Sequence, residues 1–195
     1  MMGSVGMEKT DGRSIASWEV GRASMISVDE AKSQLDRGML APLSVSTAVK
    51  SAYENTTKAC LLEHKIKVYY EPFVLPLDVV YMGTTETYAP DFVAADLKVN
   101  GRRVIFETHP MVMHGMMRLG STISKFGTFE SMYGKDFYLV MISDLSEYTM
   151  NFRMGGKHLP KFCDEYWLVQ YTNTKGGHPQ KEAFDAHLNG FLRRV

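Results

Sequence analysis

The spacing of apolar and polar positions divides this chain into helical and extended segments. From Ser44 to His64, Val45, Val49, Ala52, Tyr53, Thr56, Cys60 and Leu61 recur at helical intervals, which predicts a long amphipathic helix with Glu54 near its middle. Lys67 to Leu75 reads as a strand, and Pro72 and Pro76 assign it toward a sheet edge, because proline removes a ladder donor. Asp78 to Glu86 is expected to be a connection. Tyr88 to Val99 and Arg102 to Thr108 read as two strands joined by Asn100-Gly101, residues that accept the left-handed backbone a two-residue hairpin needs.

Met111 to Tyr133 predicts a helix in which Gly115, Gly120 and Gly127 either permit close packing or mark a break. The run Phe-Tyr-Leu-Val-Met-Ile within Asp136 to Ser143 predicts a strand covered on both faces. Ser146 to Pro160 reads as irregular, Glu165 to Tyr171 as a strand, Asn173 to Pro179 as a turn-rich loop, and Gln180 to Arg194 as a last amphipathic helix. Upstream, Ser14 to Leu40 holds one or two short helices. One of them is capped by Ser27, carries Asp29 and Glu30 in its first turn and is closed by Gly38. Met1 to Asp11 has no periodicity and is expected to fray. The expected organisation is therefore a partly disordered helical arm, residues 1–40, and a core domain, residues 41–195. The order of elements implies an α/β fold, a mixed sheet flanked by helices on both faces.

Composition narrows the class. A chain of 195 residues with 45% hydrophobic and 23% charged positions can bury a core of its own and is not largely disordered. Its 22 basic and 22 acidic residues cancel, which argues against tight non-specific binding of nucleic acid by the whole surface but leaves room for a local basic face. Cys60 and Cys163 lie far apart without CxxC spacing, so neither a zinc knuckle nor a redox pair is indicated, and a reducing cytoplasm is the expected compartment. No apolar run approaches the ~18 residues needed to span a bilayer, so no membrane partner is expected.

The candidate chemistry lies in the predicted hairpin. Asp91 follows Pro90 and precedes Phe92-Val93, and Glu107 follows Val104-Ile105-Phe106. Carboxylates are disfavoured in apolar strands unless a partner or ion supports them. Paired strands bring these two side by side, and hard oxygen ligands of this kind suit Mg2+ or Mn2+.

The sequence Pro90-Asp91, a hairpin, then Glu107-Thr108-His109 resembles the PD-(D/E)xK nuclease superfamily, with histidine where the motif has lysine. The resemblance spans roughly residues 45 to 171. It implies a restriction-endonuclease-like fold and hydrolysis of phosphodiester bonds, with DNA as the expected substrate. It also implies Asp91, Glu107 and the Thr108 carbonyl as metal ligands, Glu54 as a further carboxylate, and a possible homodimer by analogy.

An imidazole is largely neutral near pH 7 and does not by itself replace an ammonium, so Lys125 or Arg118 is needed as a substitute cation. Several alternatives stand beside these roles. Glu54 could pair with Lys58 one turn on. His109 could be a strand-end residue bonded to backbone, or could join His114 and His64 in a transition-metal site. Tyr69, Tyr70 and Tyr88 could contact nucleotides or pack the core. Gly155-Gly156-Lys157 and Lys175-Gly176-Gly177 lack Walker spacing. The competing function is a catalytically inactive nuclease-like domain that binds nucleic acid or protein.

Overall fold

Helix α1 (Val28–Asp36) is capped by Ser27, whose hydroxyl accepts from the Glu30 amide, and Gly38, at φ +63°, ends it. The computed structural model describes residues 24–81, 84–112, 115–156, 161–171 and 179–195. Residues 1–23, and with them the expected frayed end, lie outside the described residues.

Helix α2 (Ala52–Glu63) starts a full two turns later than the apolar spacing suggests. The reason is local: Thr47 Oγ1 accepts from the Ser44 amide, and the Ser44 hydroxyl bonds those of Ser46 and Thr47. Such short polar side chains compete with helical backbone bonding. Val45, counted as part of the apolar stripe, is 84% exposed. Glu54 therefore occupies the first turn rather than the middle.

Five strands form the main sheet, in the order β1 (Val68–Tyr70), β4 (Phe92–Val99), β5 (Arg102–Thr108), β6 (Phe137–Ser143) and β7 (Glu165–Leu168). The β1–β4 and β4–β5 pairs are antiparallel, and β5–β6 and β6–β7 are parallel. Asn100 and Gly101, at φ 50° and 79°, make the tight turn between β4 and β5 that their sequence predicts. Strand β1 does lie at an edge. It stops at Tyr70, much earlier than Leu75, because Glu71 turns into the left-handed region at φ 41°.

The expected connection at 78–86 is instead part of a second, two-stranded sheet, β2 (Leu75–Tyr81) with β3 (Thr84–Tyr88). Tyr88 thus ends β3 and is not the start of the strand that reaches Val99. A further difference is α4 (Glu147–Arg153), a short helix capped by Ser146 inside a stretch expected to be irregular.

The two faces of the main sheet carry separate cores. On one, Val93, Ile105, Leu139 and Met141 pack with Ala31 and Leu35 of α1 and with Leu119, Ile123, Phe126 and Phe129 of α3 (Met116–Tyr133). On the other, Phe92, Val104, Phe106, Val140 and Ile142 pack with α2 and with Phe184, Leu188 and Phe191 of α5 (Lys181–Leu192). Helices on both faces explain why β6 reads as an unbroken apolar run. The α/β class and the mixed sheet follow directly.

The described part of the N-terminal arm is joined to this core. Arg103, buried on β5, donates to Asp36 of α1 at 2.5 Å and to the Ala94 carbonyl at 3.2 Å, and Lys32 bonds Asp136 at 2.6 Å. Gly120 and Gly127 also acquire a reason. A Cβ on Gly120 would sit 3.5 Å from Met154 Cε, and one on Gly127 would sit 3.8 Å from the Lys161 carbonyl, so both glycines line a packing face of α3.

Candidate active site

Phe92 pairs with Phe106 across the β4–β5 ladder, so the residues just beyond, Asp91 and Glu107, fall opposite each other. The Asp91 amide donates to Glu107 Oε2 at 3.3 Å, and the Tyr88 hydroxyl donates to the same oxygen at 2.8 Å. Asp91 Oδ2 accepts from both the amide and the hydroxyl of Thr108, at 2.7 and 2.6 Å. These bonds engage one oxygen of each carboxylate and leave Asp91 Oδ1 and Glu107 Oε1 outside them. Glu107 lies at the carboxyl end of the parallel β5–β6 pair, where open α/β sheets form clefts.

Burial dominates the electrostatics. It pushes the Asp91 carboxyl up to about 7, against the lowering effect of the two Thr108 bonds, and the charges of Glu54 and Glu71 add to the rise. Glu107 is raised well above the ordinary range, first by burial and then by the Asp91 charge, while Tyr88, the Asp91 amide and the Lys125 ammonium oppose the rise. Burial also raises the Tyr88 phenol, so this hydroxyl remains a donor. Two adjacent carboxylates that resist ionisation, with little cationic support, fit a site for a hard divalent cation.

Glu54 is close enough for its charge to act on Asp91 but is held elsewhere. Its carboxylate accepts from the Tyr70 hydroxyl at 2.5 Å, from the Lys50 amide at 2.8 Å and from the Ser51 hydroxyl at 3.2 Å. With the Ser51 side chain accepting from the Glu54 amide at 3.0 Å, this closely follows the capping-box pattern. The alternative partner is not used, since Lys58 donates to the Val45 and Thr47 carbonyls. Among the described residues, no group of three or more His, Cys, Asp or Glu side chains that could hold an ion is found, and Glu54 stands in the surroundings of the Asp91–Glu107 pair with its carboxylate bonded at the start of α2.

His109 continues the sheet, its amide donating to the Ile142 carbonyl at 2.9 Å, while its ring meets Phe126 of α3 edge-on at 5.6 Å. Of the two substitute cations, Lys125 is the one whose charge reaches Glu107. Arg118 lies exposed nearer the start of α3. The transition-metal alternative is not assembled from His64, which sits at the far end of α2 and contacts Asp185 of α5 at 3.3 Å; His114 lies outside the described residues. Tyr69 and Tyr88 are buried in the core, which removes them as nucleotide contacts. Gly155 and Gly156 follow α4 in left-handed conformations, and both Lys157 and the 175–177 segment lie outside the described residues.

Two residues of the site escape sequence reasoning. Glu71 donates its amide to the Asp91 carbonyl at 2.9 Å and pairs with Lys50. Its placement depends on the Tyr70–Phe92 pairing, which no local signal in the sequence reveals. Asp144, buried just after β6, accepts from the amides of Met111 at 2.5 Å and Val112 at 2.9 Å and so ties down the loop that follows His109. An aspartate ending a buried strand next to a serine, Ser143-Asp144, was the available signal.

Cys60 and Cys163 are both free thiols, each pushed up to about 12 chiefly by burial, which makes them unreactive. Among the described residues no helix is long and apolar enough to cross a membrane. Comparison of the chain with known protein families, curated proteins and solved structures finds no match.

Proposed function

We propose that this chain is a divalent-metal-dependent nuclease of restriction-endonuclease-like fold, hydrolysing phosphodiester bonds, with DNA as the favoured substrate. The observation that carries the reading is the Asp91–Glu107 pair, two carboxylates set opposite each other with the Asp91 amide donating to Glu107, and both raised by burial. Supporting it is the order α2, β1, β4, β5, α3, β6 once the separate β2–β3 sheet inserted after β1 is set aside, with antiparallel, antiparallel and parallel pairing, which agrees with the core expected of that fold.

Asp91 and Glu107 would hold Mg2+ or Mn2+, with the Thr108 carbonyl as a third protein ligand. The ion would supply charge neutralisation at the phosphate and a more acidic water. Tyr88 and Thr108 orient the two carboxylates by donating to them. Lys125 takes the electrostatic part that His109 cannot, placing a permanent positive charge on the Glu107 side of the site.

One observation favours the second reading, a catalytically inactive domain: the ring in the motif's lysine position packs against Phe126. The test compares wild type with Asp91→Ala on single-stranded, duplex, flap and four-way-junction DNA, with Mg2+ and then Mn2+. Metal-dependent cutting lost in the variant supports the nuclease. No cutting by folded wild type in either metal moves the assignment to the inactive binding domain.

A further inference from the structure

Large apolar side chains are exposed at the start of α3 and along α4. Met116 and Met117 are 67% and 92% exposed, and Tyr148 and Phe152, one turn apart on α4, are 83% and 74% exposed. The two helices adjoin: Met154 Cε lies against Gly120, and Arg153 donates to the Val112 carbonyl at 2.9 Å. Both elements also sit at the carboxyl end of β5 and β6, since Asp144, just before α4, bonds the loop leading to α3. Exposed rings and methionines on two adjoining elements at this end of the sheet mark a contact surface.

Charge on α3 points to the occupant. Between Met116 and Phe129 the helix carries Arg118 and Lys125 and no acid, and its first turn follows an N-cap, Gly115, that supplies no side-chain bond. Arg118 and Lys125, seven residues apart, share one flank, and Lys125 acts on Glu107. Gly120, against α4, lies toward the opposite flank. The exposed first turn of α3 therefore belongs to the element that carries the cationic flank, and that element adjoins α4, which carries the aromatic pair. Glu147 is the one acid in α4, and it lies on that helix's own first turn.

We propose that this surface receives an unpaired stretch of nucleic acid, its bases stacking on Tyr148 and Phe152 and its phosphates passing over the start of α3 along Arg118 and Lys125 to the carboxylate pair. The inference rests on the nuclease reading of that pair and adds the substrate class. Exposed flat rings reward only bases that are free of a duplex, and a chain of zero net charge cannot rely on general electrostatic attraction.

Anisotropy of a fluorescent oligothymidylate and of a duplex of equal length, measured with EDTA present so that no cutting occurs, tests it on the full chain. Wild type binds the single strand more tightly. Tyr148→Ala/Phe152→Ala loses about tenfold or more in that affinity, in line with the loss of stacked bases, and leaves duplex binding nearly unchanged. Arg118→Ala weakens both and flattens the salt dependence. Equal affinity for the two forms, or an aromatic double variant that binds like wild type, overturns the proposal. So does sedimentation of wild type as a dimer that the double variant converts to monomer, which would make the patch a self-association surface. Failure of the nuclease reading is separate: it shows as aromatic-dependent single-strand binding with no cutting in either metal.

Discussion

Replacing Asp91 by asparagine probes the electrostatic argument directly, because the change keeps the shape and the acceptor oxygen for Thr108 while removing the charge. Below the ordinary 3.8 the carboxyl is protonated in folded and unfolded chains alike, and its effect on stability is nil. As pH rises from there toward about 7, the unfolded chain releases the proton and the folded chain keeps it, so wild-type stability falls. Above about 7 the whole loss remains. The interval from 3.8 to about 7, at 1.36 kcal/mol per pH unit, sets a ceiling of about 4 kcal/mol. Water reaching the partly exposed carboxylate lowers that ceiling, so a gain of about 2 kcal/mol or more is expected for the variant near pH 8.

Urea unfolding in EDTA across this range supplies the comparison. Asp91→Asn is more stable than wild type near pH 8, and the two converge near pH 4. Adding Mg2+ or Mn2+ at the upper pH then raises wild type selectively, by about 2.7 kcal/mol at a hundredfold excess over the dissociation constant. Midpoints that stay equal from acid to alkaline pH, or a wild type that gains on the variant as pH rises, would refute the claim that burial strains this carboxylate.

Three further outcomes follow from local contacts. Ser51→Ala removes the α2 cap and one of the donors to Glu54, and should lower unfolding stability by about 1 kcal/mol in chemical denaturation. Gly120→Ala should stabilise by ~0.5 to 1 kcal/mol, because its Cβ finds only ordinary contact with Met154 and alanine is the better helix former. Gly134→Ala should instead destabilise, since its Cβ would lie 2.5 Å from the Glu130 carbonyl oxygen. Thermal melts of the two glycine variants that move in the same direction would contradict this pair.

Local signals were enough wherever one element's own chemistry decides its form. Asn100-Gly101 accepts positive φ at both positions, Ser27 and Gly38 bracket α1, and the apolar run of β6 needs cover on both faces; each was legible in the chain and is present. The hairpin itself was legible for the same reason, but its tight turn does not set Asp91 against Glu107. The register at Lys98–Arg103 would put Ala94 there, and the irregularity between Val93 and Lys98 shifts the pairing so that Asp91 meets Glu107. Where neighbouring signals compete, the sequence was ambiguous. Ser44, Ser46 and Thr47 sit within an apolar helical spacing yet bond locally, so α2 begins at Ala52 and Glu54 becomes part of a capping network.

Tertiary structure alone decided what depends on partners distant along the chain. Strand β1 pairs with β4, and only that pairing sets Glu71 beside Asp91. Tyr88 serves Glu107 because β3 ends where β5 ends. The Lys125 charge acts on Glu107, and Tyr148 and Phe152 remain outside the core, because α3 and α4 pack on one face of the sheet with a particular rotation. The physical reason is common to all of these. Backbone bonding and side-chain propensity act over a few residues and are written locally, whereas burial and charge coupling depend on distances in space that the chain establishes only when the sheet and its two helical layers have formed.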